Sequence, residues 1–183
     1  MTLLQHHRAL LEQWRTSMNL VGPGPVEEHY DDCAQALSVL PPGQTGRWAD
    51  LGSGAGFPGI VFASLHPEAV LELVDSRIKR CVFLEHALVG AGPGSRARVR
   101  RARVEELESG AYDGVMARAF APPAEVLAHA ARLLTPGGVV VLMVGSEAEG
   151  LEHPQLEPEV DHRYVSAGRP HRVVVQRLRA PAG

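Results

Sequence analysis

With 183 residues, 45% of them apolar and 21% charged, the chain has globular values and a length that supports one domain with a sizeable core. Its longest apolar run, residues 139–144, is far too short to span a bilayer, and the first 20 residues, His6, His7 and Arg8 among them, hold no signal-peptide apolar region, so a cytoplasmic protein without membrane association is expected. Cys33 and Cys81 are isolated and the nine histidines show no H-E-x-x-H spacing, which argues for small buried thiols over a disulfide or a metal site, while a net charge of −3 opposes RNA rather than attracting it.

Leu3, Leu4, His7, Leu10, Leu11, Trp14 and Met18 recur at three and four, the spacing of an amphipathic helix. Gly22-Pro23-Gly24-Pro25 breaks it before a second helix carrying Val26, Tyr30, Cys33, Ala34 and Leu37. Residues 1–40 therefore read as a helical appendage to a domain spanning 41–183. That domain alternates: strand 47–51, helix 58–65, strand 70–75, helix 77–89, a short strand over 96–101, strand 112–117 and helix 123–134. Thr135-Pro136-Gly137-Gly138 then turns into an apolar strand over 139–144. Such alternation predicts an α/β, doubly wound, mostly parallel sheet. Residues 160–165 and 171–178 also read as strands, and a link as short as 166–170 forces them antiparallel. A parallel sheet closed by a terminal antiparallel hairpin resembles the class I methyltransferase (Rossmann-like) architecture more than a plain dinucleotide-binding domain.

The turn after the first strand is the most informative stretch. Trp48-Ala49-Asp50-Leu51-Gly52-Ser53-Gly54-Ala55-Gly56-Phe57-Pro58-Gly59 reads as a buried strand, a glycine turn and a helix start. Gly52, Gly54 and Gly56 let the backbone pass through positive φ and approach a ligand, and Pro58 suits a first helical position. Gly54, Gly56 and Gly59 also satisfy G-x-G-x-x-G, so the glycines alone leave a nicotinamide dinucleotide open. Asp50 favours a different ligand. At a strand end its carboxylate is expected to face the crevice, where it repels a pyrophosphate and attracts the ammonium of S-adenosylmethionine. Asp75 ends the second strand about 20 residues past the turn, where a carboxylate accepts the ribose hydroxyls of either cofactor. Arg118 is expected beside the same crevice, its guanidinium forked onto a carboxylate or phosphate, or held in an ion pair with Asp50 or Asp113.

Together with Trp14, Asn19-Leu20, His29, Asp31-Asp32, Lys79-Arg80 and Arg103-Val104-Glu105-Glu106-Leu107, these stretches resemble the RsmG (GidB) family over most of the chain. Phe57-Pro58-Gly59 and Ala117-Arg118-Ala119-Phe120-Ala121 are the pieces specific to it. The resemblance implies an S-adenosylmethionine-dependent methyltransferase acting on guanine N7 in 16S ribosomal RNA of the small subunit. It implies cofactor positions at Gly52, Phe57, Asp75, Val104, Glu105 and Arg118. Val104 and Glu105 would frame adenine by apolar contact and hydrogen bonding, although a solvated helix start explains Glu105-Glu106 as well. Guanine N7 carries a lone pair and no proton, so no general base is obligatory. For a substrate that needs one the catalytic candidates are His29, Asp31 and Asp32, with Arg118 beside them; the other reading of the three N-terminal residues is a lock holding the appendage on the sheet.

Two departures bear on the substrate. Family members carry Lys-Gly where this chain has Val144-Gly145, and Arg-His where it has Arg169-Pro170-His171. Glu147, Glu149, Glu152, Glu157, Glu159 and Asp161 form an acidic stretch that repels RNA. Arginines cluster over 96–103 and 163–179, a local RNA footprint or, in the first case, charged protection of a sheet edge. Aromatics at 5% are too sparse for a base-stacking platform. The departures keep open a divergent paralogue acting on a small molecule or another nucleic acid, and a non-catalytic cofactor-binding protein.

Overall fold

The computed structural model describes residues 2–22, 24–90, 92 and 96–180, without the side chains of 15–17; Pro23, in the break between the first two helices, lies outside the described residues. Helices α1 (Leu3–Met18) and α2 (Glu27–Leu37) lead into β1 (Arg47–Leu51), α3 (Gly59–Leu65), β2 (Val70–Asp75), α4 (Ile78–Val89) and β3 (Ala97–Arg101). A 3-10 turn at Val104–Glu106 is followed by β4 (Tyr112–Arg118), α5 (Pro123–Leu133), β5 (Leu134–Gly145), β6 (Leu156–Ser166) and β7 (Arg169–Leu178). The seven strands form one sheet in the order β3-β2-β1-β4-β5-β7-β6. The first five pair in parallel, and β7 lies antiparallel between β5 and β6. The order reverses between β1 and β4, so the connections leaving their carboxyl ends diverge and open a crevice there.

Alternation along each strand sorts the core into two faces. Trp48, Leu71, Leu73, Met116 and Val141 point to the face covered by the first four helices, where they share one apolar cluster with Leu11, Val26, Tyr30, Cys33, Ile60 and Phe83. Ala49, Val74, Val115, Ala117 and Val140 point the other way, onto α5 through Val126, Leu127 and Leu133. Helices α1 and α2 thus bury their apolar sides in the same core as the sheet. Leu11 and Leu37 are essentially inaccessible, each side chain contributing about 2 kcal/mol of burial. Cys33 and Cys81 are buried free thiols. No described helix is long and apolar enough to cross a membrane, and no group of three or more His, Cys, Asp or Glu among the described residues is placed to hold a metal.

Several boundaries differ from the sequence reading. The third helix opens at Gly59, with Pro58 (φ −88°) as the residue before it, and the fourth opens at Ile78, with Arg77 before it. Strand β5 starts at Leu134 because that buried leucine pairs with Tyr112; the ladder then shifts, and Val139 pairs with Gly114. The terminal strands are longer than expected, and their turn shrinks to Ala167-Gly168, at φ 49° and 71°. Two consecutive positive φ values match the twist of a two-residue hairpin.

Candidate active site

At the carboxyl end of β1 the chain turns through Gly52, Gly54 and Gly56 at φ 67°, 55° and 94°. A Cβ on Gly52 would run into the Phe120 ring, whereas at Gly54 the nearest atom to an added Cβ is the Gly52 carbonyl oxygen, 3.5 Å away. Gly52 therefore serves close packing as well as backbone conformation. The turn is fixed from the N-terminal helices. His7 Nε2 lies 2.7 Å from the Ala55 carbonyl and its Nδ1 2.7 Å from the Tyr30 hydroxyl. Burial lowers the His7 pKa to about 4. A neutral ring that donates to Ala55 and accepts from Tyr30 satisfies both contacts.

Asp50 is placed differently from the sequence expectation. Its carboxylate does not open on the crevice but is wholly buried beneath the turn, where Oδ2 accepts the Gly59 N–H at 3.1 Å. The cause is the close seating of the third helix: a Cβ on Gly59 would collide with Leu73 and with Asp50 itself. Among the described residues Asp50 Oδ1 has no hydrogen-bond partner. Burial pushes the pKa up to about 7, with the nearby Ser53 hydroxyl and the Gly59 N–H pulling the other way.

Asp75, at the end of β2, has all its acceptor positions filled. Oδ1 accepts the Arg77 main-chain N–H at 2.9 Å and Arg77 Nε at 3.1 Å; Oδ2 accepts Arg77 Nη2 at 3.0 Å and the Gly54 N–H at 3.1 Å. Burial would raise this carboxyl, but the Arg77 and Gly54 bonds outweigh it and hold the pKa below the ordinary value. Asp75 lines a cavity of about 340 Å³ with Gly52, Arg77, Val104, Glu105 and Phe120. Val104 is buried and Glu105 exposed on the 3-10 turn. Arg132 from α5 pins that turn, donating to the Val104 carbonyl at 2.7 Å and to that of Leu107 at 2.8 Å.

A second cavity, of about 240 Å³, shares Gly52, Arg77 and Ala119 with the first and continues past Gly54 to Phe57 and Arg118. Arg118 ends β4, and its partner is neither Asp50 nor Asp113: Nη2 lies 3.0 Å from Asp32 Oδ2 and 3.1 Å from His29 Nδ1, with the guanidinium over the Phe57 ring. Asp113 instead accepts the Arg47 main-chain N–H. Buried Asp32 also accepts the Tyr164 hydroxyl at 2.7 Å and faces His171 Nδ1 at 3.4 Å. His29 and Asp32 thus tie α2 to β4 and the terminal hairpin, whereas Asp31 is exposed. Val144, Gly145, Arg169 and His171, the positions that depart from the family pattern and their neighbours, line one further cavity of about 440 Å³ against Arg118 and Asp32.

The charge clusters are largely consumed internally. Arg98 and Arg100 on the edge strand converge with Arg47 on Glu72, which is fully buried and also accepts the Tyr112 hydroxyl at 2.7 Å. Across the hairpin Arg172 pairs with Asp161, Arg177 with Glu159, Arg179 with Glu157, and Arg163 reaches back to Glu147. The acidic stretch and the second arginine cluster are therefore mostly two halves of one set of pairs. Sequence reasoning missed the function of His7, and also of Arg80, whose guanidinium donates to the Asn19 and Leu20 carbonyls at 2.6 and 3.1 Å. The signal for the latter lay in the resemblance, where Asn19-Leu20 and Lys79-Arg80 appear as separate stretches.

A doubly wound sheet with a terminal hairpin, a glycine turn at its switch point and an acid closing the next strand define a class I, S-adenosylmethionine-dependent methyltransferase. A putative O-methyltransferase from Klebsiella pneumoniae superposes with a TM-score of 0.69 at 16% identity, over 97% of this chain and 90% of that one, a likeness of fold. The family model GidB, rRNA small subunit methyltransferase G, matches residues 1–167, and the chain belongs to that family. It is 41% identical to the ribosomal RNA small subunit methyltransferase G of Novosphingobium aromaticivorans over 168 residues, 88% of this chain and 71% of that protein. The protein of the same name from Methylobacterium radiotolerans is 39% identical over 77% of this chain and 69% of its own length.

Proposed function

We propose that the chain transfers the methyl group of S-adenosylmethionine to N7 of a guanine in 16S ribosomal RNA of the small subunit, in the cytoplasm. In this reading adenine lies against Val104 and Glu105, and the ribose hydroxyls bond Asp75. The methionine end crosses Gly52, Gly54 and Gly56 above Asp50, whose buried carboxylate acts on the ligand's ammonium by charge from beneath the turn. Phe57 and Arg118 border the methyl end. Residues 1–40 act as a cover fastened to the donor domain, 41–183, through His7, Asp32 and Arg80.

When bound, S-adenosylmethionine supplies a methyl group on a cationic sulfur, which needs an aligned lone pair and exclusion of water. The observation that carries the reading is the commitment of two of the candidate bases, His29 and Asp32, at the methyl end. Arg118 donates to His29 Nδ1, and Asp32 is engaged by Arg118, Tyr164 and His171. Such a site suits an acceptor nitrogen that has no proton to lose. Methylation at N7 moves the positive charge from sulfur to the purine, so the net charge in the site stays constant and no proton leaves. The test is incubation with donor and small ribosomal subunits unmethylated at the site, read by N7-specific strand cleavage. Methylation at one guanine is expected, with Asp75→Ala weakening donor binding by about 1–3 kcal/mol. Donor binding without methylation would reject the ribosomal substrate and favour the paralogue reading.

A further inference from the structure

An ionised carboxylate offers about four lone-pair positions, and on Asp75 four donors already fill them. Two are main-chain N–H groups, from Gly54 and Arg77, which belong to the local fold of the turn and of the cap before the fourth helix. The other two are Arg77 Nε on Oδ1 and Nη2 on Oδ2, one on each oxygen, from a side chain that is 62% exposed. Arg77 also lines both of the adjoining cavities, so the residue stands where the two meet. A vicinal diol needs the same pair of acceptors, one on each oxygen.

We propose that Arg77 is a latch on the donor site: its side chain occupies the two Asp75 positions that the ribose diol takes, and it must swing out for each donor and swing back as each product leaves. This rests on the reading of Asp75 as the ribose acceptor. Exchange is cheap, because the guanidinium gives up an ion pair that reaches solvent and regains water, while the main-chain bonds keep the carboxylate aimed. The latch lowers affinity for donor and product alike and provides an internal competitor that helps expel the product.

Calorimetric titration of the full-length protein with S-adenosylhomocysteine, and with its 2′,3′-dideoxy analogue, separates this from a general charge effect. Arg77→Ala is expected to bind S-adenosylhomocysteine about two- to fivefold more tightly, the range set by a solvent-reaching ion pair. Its affinity for the dideoxy analogue, which has no hydroxyl to exchange, should be unchanged. Arg77→Gln, which keeps a polar side chain, should reproduce the gain, and both variants should melt with the parent. Raising salt screens the pair, so it should tighten binding to the parent and leave Arg77→Ala unaffected. Equal or weaker binding of S-adenosylhomocysteine by Arg77→Ala would overturn the latch and make Arg77 a support for Asp75, as would an equal gain with both ligands. A parent protein that binds neither ligand would instead bring down the donor-site reading itself.

Discussion

His7 holds the glycine turn and Asp50 the helix start that follows it, and their burial works on stability in opposite senses. His7 has its pKa lowered from 6.5 to about 4, so the folded state resists a proton that the unfolded chain accepts. Its contribution is complete above pH 6.5 and is lost as pH falls toward 4. Asp50 has its pKa raised from 3.8 to about 7, so the folded state keeps a proton that the unfolded chain releases. Its penalty is absent below about pH 4 and grows as pH rises to 7. Between these limits the two oppose each other, and substitution isolates one. Asp50→Asn should stabilise the free protein by about 1–3 kcal/mol at pH 8 and hardly at all at pH 4, as measured by urea unfolding. It should also weaken donor binding, because it removes the charge beneath the ligand's ammonium. Asp50 itself was legible as a site residue from its place before Gly52, but its burial was not. That depends on Gly59 packing against Leu73, a contact between positions 14 apart.

At the level of elements, β3 shows how a strand full of arginine is held. Each of Arg98 and Arg100 reaches solvent at one end, yet both turn toward Glu72 on the neighbouring strand, joined by Arg47 and Tyr112. Burial would raise the Glu72 carboxyl, but these bonds prevail and hold it at about 2. Removing one member of such a cluster leaves the others unpaired. Glu72→Ala should cost about 3 kcal/mol, with amide exchange on Ala97–Arg101 accelerating most, because the cluster is what fastens this edge. Glu72→Gln keeps one acceptor oxygen, enough for Arg47 and Arg98, and should lose less. The edge position was readable in the alternating arginines, and the hairpin in its short link. Their partners were not readable, since a carboxylate in an apolar strand and an acidic run look like isolated features until register sets them opposite the arginines.

For the whole molecule the same pairing bears on the proposed RNA substrate. With a net charge of −3 and most hairpin arginines spent on Asp161, Glu159, Glu157 and Glu147, the chain has few cations to release counterions from RNA. Arg169, exposed at the hairpin turn and lining the cavity beside Arg118, makes no ion pair among the described residues. Binding to the small subunit should therefore depend only shallowly on salt, and Arg169→Glu should weaken it and reduce the log–log salt slope by about one. An unchanged slope would place the RNA on another face. The sequence by itself determined the alternation of strands and helices, the glycine turn, the acids that close β1 and β2, and the family, because these are signals of local spacing and residue type. Only the tertiary structure decided that Asp32 holds Arg118, that His7 steadies the turn from 48 residues away, and that Arg77 fills Asp75. Such contacts depend on side-chain direction and on the crossing of distant elements, and no local pattern encodes either.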